Sequence, residues 1–296
     1  EYTTDGSHFF SSSLDKTVKY WNAKENEALQ TFSNFTTPIV KISVHPNGKQ
    51  FVTATREVTF QEWHLEKEAP IQTFEGHEGP VEAVLYNANG SSILSAAYDL
   101  KIKEWSTTTG KCLQTLEGSS SPIVGIHYIP NQKRIISCGG DSVKEWDLKT
   151  GECVRSLKTL AVSSIHYHPT KKRLISGSWN NMINEWDTFT GRRLQTFEGY
   201  SNQVTSLALS SDNQFLYSGA SDNSIRKWDT ATGICVQTLE AHSETITSFA
   251  LSINNRLILS SSEDGTLKLW STTTGECFKT IQTEQGELNA GAFNKD

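Results

Sequence analysis

Four kinds of chemically capable side chain recur at fixed distances from tryptophan. A Glu stands immediately before Trp63, Trp105, Trp146 and Trp186, as Glu62, Glu104, Glu145 and Glu185, and Lys227 takes that place before Trp228. A Cys follows Trp105, Trp146, Trp228 and Trp270 by seven residues, as Cys112, Cys153, Cys235 and Cys277. A hydroxyl precedes each Trp by ten residues in Ser11, Thr53, Ser95, Ser176, Ser218 and Ser260, and by nine in Ser137. Six residues before Trp comes Asp15, Asp99, Asp222 or Asp264, with Asn180 as a substitute and Asp141 one residue later in a contracted copy. A carboxylate row is the raw material of an acidic functional surface, and grouped cysteines are that of a metal or redox centre.

The spacing argues against both readings. Trp21, Trp63, Trp105, Trp146, Trp186, Trp228 and Trp270 are separated by 42, 42, 41, 40, 42 and 42 residues, which makes seven copies of one supersecondary unit. Equivalent cysteines on different units do not easily reach disulfide distance, and no C-x-x-C pair is present, so they are expected to be small buried hydrophobes in a reducing compartment. The Glu residues are expected opposite Ala54, Ala96, Cys138 and Gly177 across a hairpin, paired with Lys or Arg of the adjacent unit such as Arg134 or Arg173, because a buried charge needs a partner.

The elements that carry these positions are short strands. In the copy that ends at Trp105, Val81 to Leu85 is the first strand, Ile93 to Ala97 the second, Lys101 to Trp105 the third and Cys112 to Leu116 the fourth. Turns rich in Asn, Gly, Pro and Asp separate the first two, and a Gly five residues after the Trp (Gly110, Gly151, Gly191, Gly233, Gly275) suits a tight hairpin before the fourth. No segment reads as a helix. Residues 1–34 lack a first strand, and 287–294 look like the missing one. Pairing them would remove two exposed edges and close the array into a seven-bladed all-β toroid, with further blades at 38–75, 80–117, 122–158, 161–198, 203–240 and 245–282.

Composition narrows the classes. The chain has 296 residues, 36% hydrophobic and 20% charged, with net charge −6. No run of eighteen apolar residues exists. The opening EYTTDGSHFF has no basic or apolar signal region and no initiator Met, so a piece of a longer or processed intracellular chain is expected, cytoplasmic or nuclear. Without secretion, the glycosylation patterns at Asn34 and Asn89 carry no weight. The acidic balance disfavours nucleic acid, whose phosphates demand clustered Lys and Arg.

The chain closely resembles the WD-repeat β-propellers. Trp146-Asp147, Trp186-Asp187 and Trp228-Asp229 carry the name-giving dipeptide, whereas Trp21-Asn22, Trp63-His64, Trp105-Ser106 and Trp270-Ser271 depart from it. Gly76-His77 is intact, Ala241-His242 is near, and Gly199-Tyr200 has Tyr instead. The resemblance implies a hydrogen-bonded tetrad inside each blade, which His77, Ser95, Asp99 and Trp105 can build in full, as can His242, Ser260, Asp264 and Trp270. Such a tetrad ties the loop between blades to the sheet, and its mid-strand Ser is no hydrolytic nucleophile.

The resemblance also implies peptide recognition on the face that bears the loops between fourth and first strands and between second and third. Transferred by position, that face holds Trp179, Tyr98, Arg56, Lys41, Glu82, Ile39, Ile123, Glu263 and Asn289. Trp179 is the one tryptophan out of register, so no packing role of the repeat requires it, and an aromatic there has the composition of a binding hot spot. The mixed signs of Lys41, Arg56, Glu82 and Glu263 suit a peptide better than a polyanion.

The expected function is therefore a non-enzymatic scaffold for protein or peptide partners within a multiprotein complex. No cofactor, metal, small-molecule substrate or membrane insertion is expected. A nucleic-acid or chromatin-contacting module is the alternative, and a propeller enzyme ranks below it, because only Glu82 and Glu287 offer channel-facing carboxylates and they lie on non-adjacent blades.

Overall fold

The computed structural model describes residues 8–13, 15–22, 28–129, 133–159, 161–168, 172–252 and 255–282. The chain divides into two compact units, Glu1–Thr159 and Leu160–Asp296. In the first, β1 (His8–Ser12), β2 (Val18–Asn22) and β3 (Ala28–Phe32) form blade one. Blade two is β4 (Lys41–Val44), β5 (Gln50–Ala54), β6 (Phe60–His64) and β7 (Gln72–Phe74). Blade three is β8 (Val81–Tyr86), β9 (Ser92–Ala97), β10 (Ile102–Ser106) and β11 (Cys112–Leu116). Blade four is β12 (Ile123–Tyr128), β13 (Arg134–Gly139), β14 (Ser142–Asp147) and β15 (Cys153–Lys158).

The second unit holds three more. Blade five is β16 (Val162–His168), β17 (Arg173–Ser178), β18 (Ile183–Asp187) and β19 (Arg193–Phe197). Blade six is β20 (Val204–Leu209), β21 (Phe215–Ala220), β22 (Ser224–Asp229) and β23 (Cys235–Glu240). Blade seven is β24 (Ile246–Leu251), β25 (Leu257–Ser262), β26 (Thr266–Ser271) and β27 (Cys277–Gln282). Within each blade every strand pairs antiparallel with its chain neighbours, and no helix occurs among the described residues. The strand expected from 287–294, with Asn289, lies outside the described residues.

Turn chemistry explains the Trp-Asp dipeptide. Asp147, Asp187 and Asp229 each accept backbone N–H bonds from the residues two and three further on, which caps the turn before the fourth strand. In blades two, three and seven, where the dipeptide is lost, the acceptor survives: His64 Nδ1 takes the N–H of Glu66, Ser106 Oγ that of Thr109, and Ser271 Oγ those of Thr273 and Thr274. Gly110, Gly151, Gly191, Gly233 and Gly275 follow with φ between 67° and 78°, the left-handed conformation in which glycine alone is unstrained.

The core lies between successive sheets of each unit. Trp105 of blade three packs on Phe60 and Phe74 of blade two, Trp63 on Phe32 and Phe35 of the blade-one side, and Trp146 on Ile102 and Leu116. In the second unit Trp228 packs on Phe197, and Trp270 clusters with Leu239 and Ile225.

Several expectations need correction. Cys112, Cys153 and Cys277 are exposed and Cys235 is half-buried, while Cys138 is the buried thiol. The four repeat cysteines open the last strand of their blades, where the sheet has one neighbour instead of two. A bulge between each Trp and the residue before it sets each of them opposite its Trp, with Sγ turned back on the carbonyl two residues on. The Glu residues face Val52, Leu94, Ile136 and Ile175, because the hairpin register lies two residues from the one expected. Glu145 and Glu185 do pair with Arg134 at 2.8 Å and Arg173 at 3.0 Å, but within their own blades. Glu62 instead accepts from the Tyr86 hydroxyl of the next blade at 2.6 Å, and burial raises its pKa.

Candidate interaction face

All seven repeat tryptophans donate their indole N–H to the hydroxyl that the spacing places on the second strand: Ser11, Thr53, Ser95, Ser137, Ser176, Ser218 and Ser260, at 2.6 to 3.2 Å. In blade three the chain of bonds goes on. His77 Nδ1 lies 2.7 Å from Asp99 Oδ2 and His77 Nε2 2.6 Å from Ser95 Oγ. With Nδ1–H donating to the carboxylate and Nε2 accepting from the Ser95 hydroxyl, each polar atom on the path from indole to carboxylate has one partner on either side. Blade seven repeats this at 2.9 Å for His242–Asp264 and 2.7 Å for His242–Ser260. Burial holds both imidazoles below their ordinary pKa, so the neutral ring is the bonded form. Gly76 runs at φ +136° over the Trp105 ring, where a Cβ would sit 3.3 Å from the indole, and this fixes the approach of the His77 loop.

Blade six solves the same problem with other atoms. Tyr200 reaches Ser218 Oγ at 2.5 Å and its carbonyl at 2.6 Å. Arg226 lies 4.0 Å over the Tyr200 ring and pairs with Asp222 at 3.1 Å, so a guanidinium links the loop to the turn Asp where blades three and seven use an imidazole. Blade four does so with hydroxyls, Ser120 and Ser121 donating to Asp141. Blade two, whose turn lacks an Asp, has Thr36 and Thr37 donating to Glu57.

In blades two, three, four, six and seven these links hold the interblade loop beside the turn between second and third strands. The residue just before that turn is then presented outward: Tyr98 is 46% exposed and Trp179 59%. Trp179 N–H is tied to Ala161 O at 2.8 Å, which fixes the backbone beneath the indole. Arg56 occupies the left-handed region at φ +59° and extends to Glu82 of the next blade at 2.9 Å. Glu82 itself is the extra residue of the bulge between Val81 and Ala83. Glu263 is exposed at the equivalent turn of blade seven, tied through its N–H to Thr245 O. Lys41 is exposed too, and its charge opposes the rise to about 12 that full burial imposes on the Cys138 thiol.

Ile39 and Ile123 do not belong to this face, since both are core residues at 0% and 1% exposure. They occupy the position of Val81, one residue earlier than the transfer assumed. Sequence reading also missed Val58 and Met182, both exposed on the same set of turns. The signal for Val58 was there, because blade two has no Asp to build the turn the other blades use. The structure joins Arg56 to Glu82 in the first unit, while Trp179 and Glu263 stand on turns of blades five and seven in the second. Ser95 and Ser260 are fully buried, which leaves no path for a substrate to either hydroxyl. No group of three metal-ligating side chains occurs among the described residues.

Successive antiparallel sheets, each pinned by an indole–hydroxyl bond and turned by a capped Trp-Asp hairpin, define a WD-repeat β-propeller protein. A family model described as "IFT122 first beta-propeller" matches residues 38–296, and one described as "WD domain, G-beta repeat" matches residues 1–22. The chain belongs to the family of IFT122 first beta-propellers. Propellers of these families are in general platforms for protein interaction. No curated protein matches the chain.

Proposed function

We propose that this chain is a non-catalytic scaffold that binds peptide segments of partner proteins through the turn presenting Trp179 in the second unit and, as a site of its own, through the turns presenting Tyr98 and the Arg56–Glu82 pair in the first. The observation that carries the reading is Trp179, a tryptophan 59% exposed on a turn whose backbone is fixed by its own N–H bond. An anchored aromatic loses little entropy on binding and buries a large area, which is what a hot spot requires. The Arg56–Glu82 pair adds both signs of charge beside Tyr98 and fixes partner register more than affinity. Five free thiols support an intracellular, reducing location.

The test is capture of partners by the intact chain, by Trp179→Ala and by Tyr98→Ala, with every retained protein quantified by mass spectrometry. Loss of partners in each variant, about tenfold or more for a hot-spot residue, is the expected result. An unchanged partner list in a variant would refute the site assigned to that turn.

A further inference from the structure

The seven copies provide an internal control for what the repeat itself demands, and blade five departs from it at the turn between β18 and β19. Three residues after the Trp, the other capped turns carry Glu66, Thr108, Lys149, Ala231 and Thr273, whereas blade five carries Phe189. Six and seven residues after it, where the copies in blades three, four, six and seven run into their Cys, blade five has Arg192-Arg193, followed by Leu194. Phe189 is 82% exposed, the most exposed large hydrophobic among the described residues, and Leu194 is 43% exposed.

The turn is rigid. Asp187 Oδ1 accepts the N–H groups of Phe189 and Thr190 at 2.8 and 2.7 Å, and Gly191 N–H closes on Asp187 O at 2.9 Å. Thr188 bonds through both its N–H and its hydroxyl to Lys172 O, which brings a third cationic residue alongside. Lys172, Arg192 and Arg193 are exposed, and none has an ion-pair partner among the described residues. Of the two carboxylates five residues from the Arg192–Arg193 pair in sequence, Asp187 accepts the turn amides and Glu198 follows the far end of β19. A locally positive, apolar-tipped, pre-ordered patch thus stands on a chain of net charge −6.

We propose that this turn of blade five is a second docking surface, which takes an acidic segment of a partner protein carrying an apolar anchor residue. Charge complementarity selects the acidic residues, and Phe189 with Leu194 supplies the apolar contact that a bare polyanion cannot use. The surface is separate from the Trp179 turn, because the two turns lie at opposite ends of β18 (Ile183–Asp187).

The test pans a random-peptide phage library on the full chain, with Arg192→Glu/Arg193→Glu and Phe189→Ser as counter-targets and labelled oligothymidine as the polyanion probe. All three substituted residues are exposed, and unchanged thermal melting checks that the variants fold. The expected outcome is a set of acidic peptides with an apolar residue that bind about tenfold more weakly to both variants and equally well to Trp179→Ala. The proposal is overturned if no peptide depends on the patch, if the dependent peptides lack acidic or apolar residues, or if oligothymidine binds as tightly and with the same dependence on Arg192 and Arg193. Retention on Trp179→Ala keeps this result distinct from failure of the first face.

Discussion

Blades three and six perform one structural task with different chemistry. In blade three an imidazole bridges the strand hydroxyl and the turn carboxylate, whereas in blade six a phenol holds the hydroxyl and a guanidinium stacked on it holds the carboxylate. What the position requires is a donor–acceptor chain from loop to indole, and the residue types are free to vary. The substitution changes the pH range over which the link survives, because a neutral imidazole can be protonated near neutrality and a phenol or a guanidinium cannot change charge there.

The largest contrast is expected from removing the shared hydroxyl. Ser95→Ala orphans both His77 Nε2 and the Trp105 indole N–H, and should destabilise by about 2–4 kcal/mol. Ser218→Ala leaves Tyr200 its bond to the Ser218 carbonyl and orphans chiefly the Trp228 N–H, for about 1–2 kcal/mol. Denaturant midpoints measure both, and equal losses would break the comparison.

Acid should separate the blades next. Burial, opposed by Asp99, holds His77 below its ordinary value of 6.5, so the unfolded chain binds the proton more readily. The stability contribution is therefore complete above about pH 6.5 and is lost as pH falls towards the folded value. Asp99 extends the loss below 3.8: burial pushes its pKa up, but the bonds from His77 and from the Glu78 N–H outweigh it. In blade seven, burial lowers His242, and Asp264 is drawn down to about 2. Burial raises the Tyr200 phenol, away from this range. Hydrogen exchange between pH 7 and 5 should show faster opening of residues 76–80 and 241–245 and no such change at 199–203. The smallest effect is expected from Arg226→Ala, about 1 kcal/mol from the lost stacking and ion pair, with Arg226→Lys restoring only part.

The tryptophan period placed the seven hydroxyls, and the resemblance supplied the bond: Trp105 stands opposite Ile93 and reaches Ser95 along the diagonal, an offset that the repeat keeps. Ile39 and Ile123 stand as far before Thr53 and Ser137 as Val81 stands before Ser95, but the neighbouring Val40 and Val124 drew the transfer one residue along, and in a strand one residue exchanges core for surface. The cysteines escaped because periodicity reveals equivalence and not depth, and the last strand of a blade has no neighbour to cover it. Half of the acidic row, Glu145 and Glu185, pairs with Arg, and within the blade instead of across blades, whereas Glu104 takes Ser92 and Gln114 and Glu62 takes the Tyr86 hydroxyl of the next blade, a contact with no signature along the chain.

Each indole of blades two, three, four, six and seven rests partly on side chains that belong to the sheet before it. A blade is consequently not a detachable module: severing the chain between β7 and β8 would strip Trp105 of its bed and lay bare Phe60 and Phe74 together. Any shortened version of this protein inherits one raw aromatic seam for every such cut.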